Sequence, residues 1–97
     1  MTTLDEFRIA VNERARGRIR GSVALDMPDL GRLYLDGSGA VESDAPADIT
    51  LVAPSEVFRA IVSGTQNPAR AYMLGKLKVE GNPMRALKIG EILSSAD

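Results

Sequence analysis

The 97-residue chain contains no cysteine, no histidine and no tryptophan. Without histidine or cysteine it cannot assemble a Ser-His-Asp or Cys-His nucleophile, a histidine general base or a typical zinc site, and most enzyme classes go with them. The missing cysteine also removes disulfides and thiolate chemistry, which fits a reducing compartment. Aromatic residues make up 4%, namely Phe7, Tyr34, Phe58 and Tyr72, too few for the stacking platforms of single-strand nucleic-acid binders. Apolar runs such as Leu51-Val52-Ala53 stop far short of the roughly 18 residues a membrane-spanning helix needs.

Charge of either sign is not in excess. A net charge of −1 gives no global attraction to nucleic acid, although Arg8, Arg14, Arg16, Arg18, Arg20 and Arg32 crowd into the first third of the chain. Met1-Thr2-Thr3-Leu4-Asp5 has neither a basic-plus-apolar leader nor a glycine at position 2, and Ser94-Ser95-Ala96-Asp97 has no prenylation or peroxisomal signal. The expected location is the cytoplasm. No cofactor or metal is expected either: Asp36-Gly37-Ser38-Gly39 lacks the later ligands of a calcium loop, and Gly75-Lys76 lacks the first glycine and the hydroxyl residue of a phosphate loop. Glu42, Asp44 and Asp48 cluster in a polar stretch and read as a solvated loop rather than an acid–base pair.

What is present is an average globular composition, 44% apolar and 26% charged, at a length that suits one domain. Leu4, Phe7 and Val11 at helical spacing predict an amphipathic helix over residues 3–16, with Thr3 as cap, Glu6 completing a capping box and Gly17 as stop. From Arg18 to Asp26 the period changes to two, and Leu33 and Leu35 alternate after a turn at Pro28-Asp29 and Gly31, which predicts a hairpin. Residues 40–43 and 48–53 extend this into a four-strand meander over residues 18–53. Residues 54–97 read as helices plus a last strand: a helix opened by Pro54 and stopped by Gly64, a short helix from Asn67-Pro68, a strand 76–80 with Leu77 and Val79 inward, and a final helix from Asn82-Pro83. Asn-Pro-x-Arg-Ala occurs at both helix starts, as expected where Asn caps and Pro fills the first turn.

The run from Gly64 to Asn82 is the most specific feature. Gly64, Ala71, Tyr72, Met73, Gly75, Lys76, Leu77, Lys78, Val79 and Gly81 resemble, in order and spacing, the signature stretch of the sterol carrier protein type 2 family. The resemblance covers roughly residues 18–93. It implies an α+β fold, a five-stranded mostly antiparallel sheet with helices packed on one face, and a non-catalytic module that carries a sterol, fatty acyl chain, acyl-CoA or quinone-like ligand between sheet and helices. Ala53, where the family usually has a Ser or Thr cap, departs from the pattern. Carried over by position, Phe58, Ile61, Val62, Met73, Leu74, Leu77, Met84, Leu87 and Leu93 are the expected pocket lining. Arg18, Arg20 and Arg32 are a separate surface patch that could face an anionic membrane or a partner enzyme. The alternative is an accessory or scaffold module of lipid or quinone metabolism without stable ligand binding.

Size adds a constraint. A sealed, dry pocket of ~300 Å³ would cost about 7 kcal/mol at ~24 cal/mol per Å³, against a total stability of about 5–15 kcal/mol. The expected pocket is therefore collapsed or open, with Met73 and Met84 at its mouth.

Overall fold

The protein is described here as a computed structural model covering residues 4–94. Helix α1 (Leu4–Ala15) buries Phe7, Val11 and Ala15, one stripe at four-residue spacing. The Thr3 cap lies outside the described residues. Gly17, at φ +76°, turns the chain off the helix, and its N–H donates to the Gly37 carbonyl at 3.0 Å.

Strand β1 (Val23–Met27) begins five residues later than the alternation from Arg18 suggests. Gly21 is the reason: at φ +73° it breaks the extended path, so Arg18–Gly21 become a lead-in, with Ile19 buried outside the ladder. Strands β2 (Gly31–Asp36) and β3 (Gly39–Glu42) follow as antiparallel neighbours. The tight turn between them is held by the Asp36 carboxylate, which accepts from the Ser38 N–H and hydroxyl.

Strand β4 (Ile49–Val52) corrects the expected 18–53 meander. It does not lie beside β3 but crosses over to pair in parallel with β1, Val23 opposite Ile49 through Asp26 opposite Val52. The period-two pattern fixes which face of a strand is buried and is silent on which neighbour it takes. Side-chain contacts decide it. Asp48 accepts from the Ser22 N–H at 3.2 Å while the Ser22 hydroxyl accepts from the Asp48 N–H at 2.9 Å, which pins the start of the parallel pair. With β5 (Lys78–Glu80) antiparallel to β4, the order is β3-β2-β1-β4-β5.

One face of this sheet is buried through Val23, Leu25, Met27, Leu33, Leu35, Ile49 and Leu51, and the helices cover it. The other face, with Asp26, Tyr34, Thr50 and Val52, is half-buried. Helix α2 (Ser55–Ser63) buries Phe58, Ile61 and Val62, and each large side chain so buried contributes roughly 1.5–3 kcal/mol. Pro54 is its cap residue and offers no side-chain acceptor. The Asp29 carboxylate in the β1–β2 turn supplies one instead, accepting from the Ser55 N–H at 2.8 Å and from the Ser55 hydroxyl. Those two bonds, the hydroxyl first, hold the Asp29 pKa below its ordinary value.

Helices α3 (Pro68–Met73) and α4 (Pro83–Ser94) each start on an asparagine whose Oδ1 accepts backbone N–H groups, Arg70 for Asn67 and Met84 and Arg85 for Asn82. Helix α4 touches the three other helices and strands β4 and β5. At Gly90 it meets Pro68 of α3 so closely that an added Cβ would lie 2.6 Å from the proline Cβ.

Candidate functional site

Among the described residues no helix is long and apolar enough to cross a membrane, and no three acidic groups stand where they could share a metal. What the surface does offer is clefts and exposed apolar side chains.

A cleft of about 350 Å³ lies between the lead-in to β1 and one face of α4. Ile19, Ile89 and Ile92 form its apolar floor, and Arg18, Arg20, Arg85 and Lys88 stand around it. On α4 the contributing positions 85, 88, 89 and 92 follow i, i+3, i+4, i+7 spacing, so they lie on one helical face. Across the cleft, Gly21 lets the lead-in turn while Ile19 stays anchored in the core. The two walls are tied directly: the Arg85 guanidinium donates to the Arg20 carbonyl at 3.1 Å. The cleft is open to solvent, as the cost of a sealed void in so small a domain demands. Three isoleucines and four cations thus share one open cleft.

Two other clefts have different characters. One, of about 430 Å³ between α2 and the turn after α3, is lined by Pro54, Val57 and Ala60 with Glu56, Gln66 and Lys76. The other, of about 510 Å³, is a shallow polar depression around the β1–β2 turn that includes Asp26, Asp29, Arg32 and Asp44.

The nine residues expected to line one pocket are distributed over three environments. Phe58, Ile61, Val62, Leu77 and Leu93 are buried in the core, Leu87 is half-buried, and Met73, Leu74 and Met84 face solvent. None of the nine lines any of these three clefts. A ligand touching Phe58, Leu77 or Leu93 has to part the helices from the sheet. The arginine patch divides as well. Arg18 and Arg20 join Arg85 and Lys88 at the first cleft. Arg32 stands elsewhere and donates to the carbonyls of Ser43 at 3.2 Å and Ala45 at 2.7 Å, fastening the β3–β4 crossover. Of the loop acids, Asp48 has the structural task of holding Ser22.

The sequence carried a signal for Arg85, Lys88, Ile89 and Ile92 in their helical spacing, basic then apolar. It carried none for their meeting Ile19 and Arg20, some 65 residues away.

The sequence matches the SCP-2 sterol transfer family over residues 5–94. It is 42% identical over 60 residues to a fatty acid-binding protein of Yarrowia lipolytica, covering 62% of this chain and 46% of that one. It is 35% identical over 99 residues to hydroxysteroid dehydrogenase-like protein 2 of Xenopus tropicalis, covering 94% of this chain and 24% of that one. The chain thus spans less than half the length of either relative. Its fold is similar to the solution structure of sterol carrier protein 2 from Aedes aegypti in complex with palmitate, with a TM-score of 0.76, 97% of each chain covered and 17% identity. With the family matched across nearly all of its length and the mixed five-stranded sheet shared, the chain belongs to the SCP-2 sterol transfer family, a family of lipid carriers.

Proposed function

We propose that this chain is a non-catalytic carrier for a lipid-like ligand with an apolar tail and an anionic end. The tail enters between the β1 lead-in and α4, and the anionic end rests among Arg18, Arg20, Arg85 and Lys88. The observation that carries this reading is the cleft itself, three isoleucines framed by four cations on two elements joined by one hydrogen bond. Burial supplies the affinity: about 200 Å² of apolar surface covered is worth roughly 5 kcal/mol before ordering costs. The cations fix which end of the ligand stays outside. A longer tail goes deeper by separating α4 from its neighbours, where it reaches Leu87, Leu93 and the interior side chains of α2.

The Aedes aegypti protein of similar fold is described with palmitate, which makes palmitate the first probe. Titration of the full chain, followed by native mass spectrometry and thermal melting, should give a one-to-one complex and a higher Tm, because only the folded state binds. Arg20→Glu with Lys88→Glu should abolish palmitate binding while leaving the unliganded Tm within a few degrees. No retained palmitate at micromolar concentrations, or full binding by the double variant, would sink the reading.

A second reading is an accessory module that serves an enzyme without holding ligand stably. It is favoured by the match to only 24% of a dehydrogenase-like relative, a domain-sized part of a longer chain. A stoichiometric protein partner with an empty cleft would choose it.

A further inference from the structure

Arg18, Ile19 and Arg20 form a short strap between two glycines in the left-handed region, Gly17 at φ +76° and Gly21 at φ +73°. Neither glycine bears a Cβ that would oppose a change of backbone angle, so the strap has a hinge at each end. On one side the Arg18 N–H donates to the Ala15 carbonyl at 2.9 Å, and on the other the Ser22 N–H donates to Asp48 at 3.2 Å. Between these anchors, among the described residues, the hydrogen bond on residues 19–21 is the one from the Arg85 guanidinium to the Arg20 carbonyl, at 3.1 Å.

Ile19 is what the strap carries inward. It belongs to the buried core and also lines the first cleft, as Ile89 of α4 does. These two side chains are therefore the partition between the open cleft and the interior. Ile89 is fixed on a helix that touches three other helices, whereas Ile19 sits on the hinged strap. Of the two, Ile19 is the one free to swing.

We propose that the strap is a door, that Arg85 is its latch, and that the anionic end of the ligand releases the latch. The door rests on the reading of this cleft as the ligand's entrance and adds which ligands it admits. A carboxylate arriving among the cations takes the Arg85 guanidinium in a charge-assisted, bidentate pair, stronger than the bond to a neutral carbonyl. The Arg20 carbonyl is then released, the strap turns at its two glycines, and Ile19 withdraws from beside Ile89 so that the apolar tail passes inward. A neutral amphiphile of the same length meets a closed latch and enters only as often as the strap opens by itself. Arg85 thus selects, by rate, ligands with a negative end.

The test is stopped-flow uptake, by the full chain, of the fluorescent fatty acid cis-parinaric acid and of its uncharged methyl ester. The parent should take up the acid about fivefold faster than the ester, the population shift expected from one hydrogen bond. Arg85→Ala removes the latch and should take up the ester about fivefold faster than the parent does. Loss of a cation that merely pairs with the ligand would instead slow the acid and leave the ester as it was. Gly21→Ala keeps every cation, yet its Cβ would lie 3.0 Å from Arg85 Nη2 and 2.7 Å from Asp48 Oδ2, so it disturbs the same latch and should speed the ester too. Without any ligand, trypsin should cut after Arg18 or Arg20 faster in Arg85→Ala than in the parent. The melting temperature should stay close to that of the parent, because Arg85 is exposed. An ester rate unchanged in Arg85→Ala overturns the latch, as does unchanged cleavage of the strap, and uptake of the acid by the parent then leaves the carrier reading standing. Uptake of neither probe by the parent overturns the carrier reading and the latch with it.

Discussion

Helix α2 and the segment from α3 to α4 carry similar apolar residues, yet those residues end in opposite surroundings. Phe58, Ile61 and Val62 of α2 lie wholly in the core, whereas Met73, Leu74 and Met84 stand in solvent. The difference lies in what is opposite each element. Helix α2 packs on α4 and α1, and its stripe joins the same buried cluster as the inward side chains of the sheet. Helix α3 is six residues long, buries only Pro68 and Ala71, and leads straight into the edge strand, beyond which there is no further layer. Helical spacing therefore states which residues share a face, and only the architecture states whether anything covers that face.

One substitution made at two places should break the comparison most sharply. Leu77→Asp puts an unpaired charge into a site 2% exposed, and the cost of several kcal/mol consumes most of a stability of about 5–15 kcal/mol. Circular dichroism should show no cooperative unfolding transition. Met73→Asp, four residues earlier, should change stability by no more than about 0.5 kcal/mol in urea denaturation. Equal losses at both positions would mean that Met73 is covered in solution.

The contact between α3 and α4 should respond on a smaller scale. Alanine favours a helix interior over glycine by roughly 1 kcal/mol, so Gly90→Ala would stabilise an unpacked helix. Here the new Cβ meets the Pro68 ring, which cannot rotate away. A net loss of about 1–3 kcal/mol is expected from overpacking, read as a lower urea midpoint. A gain would show that α3 moves freely on α4.

The smallest effect concerns the cap of α2, and its pH dependence sets it apart. Asp29 accepts two hydrogen bonds from Ser55, and its folded pKa is depressed below its unfolded value. Its contribution is fully present above the unfolded pKa of about 3.9 and disappears as pH falls through the lower folded value. Asp29→Ala should therefore lower the Tm at neutral pH, and the gap from the parent should close at acid pH. A gap that persists there would assign the loss to something other than the ionised cap.

Apart from the break at Gly21, the turn chemistry was legible in the sequence. Gly17 and Gly64 end helices, and the two Asn-Pro starts cap helices, because each of these depends on residues within one turn of chain. The hairpin and the inward side of Leu77 followed from alternation in the same way. What the sequence left open was placement across distance. The β1–β4 pair rests on Ser22 and Asp48, the α2 cap on Asp29, and the cleft on Arg85 reaching the Arg20 carbonyl. The expected lining is not gathered at one open cleft, because positional carry-over names residues that are apolar in a family. Whether the helices in a given chain stand open above those residues depends on this chain's own packing.

The parallel pairing of β1 with β4 has a consequence for how the protein is made. The α1, β1, β2 and β3 elements are local in sequence and can associate while the rest of the chain is still being synthesised. Until residues 49–53 arrive, however, the central strand keeps one edge unpaired, with Val23, Leu25 and Met27 beside it. Such an edge is a template for foreign strands, and it persists until a segment 26 residues away closes over it. The finished fold closes that edge with β4, and the Ser22–Asp48 bonds hold the start of the closing pair.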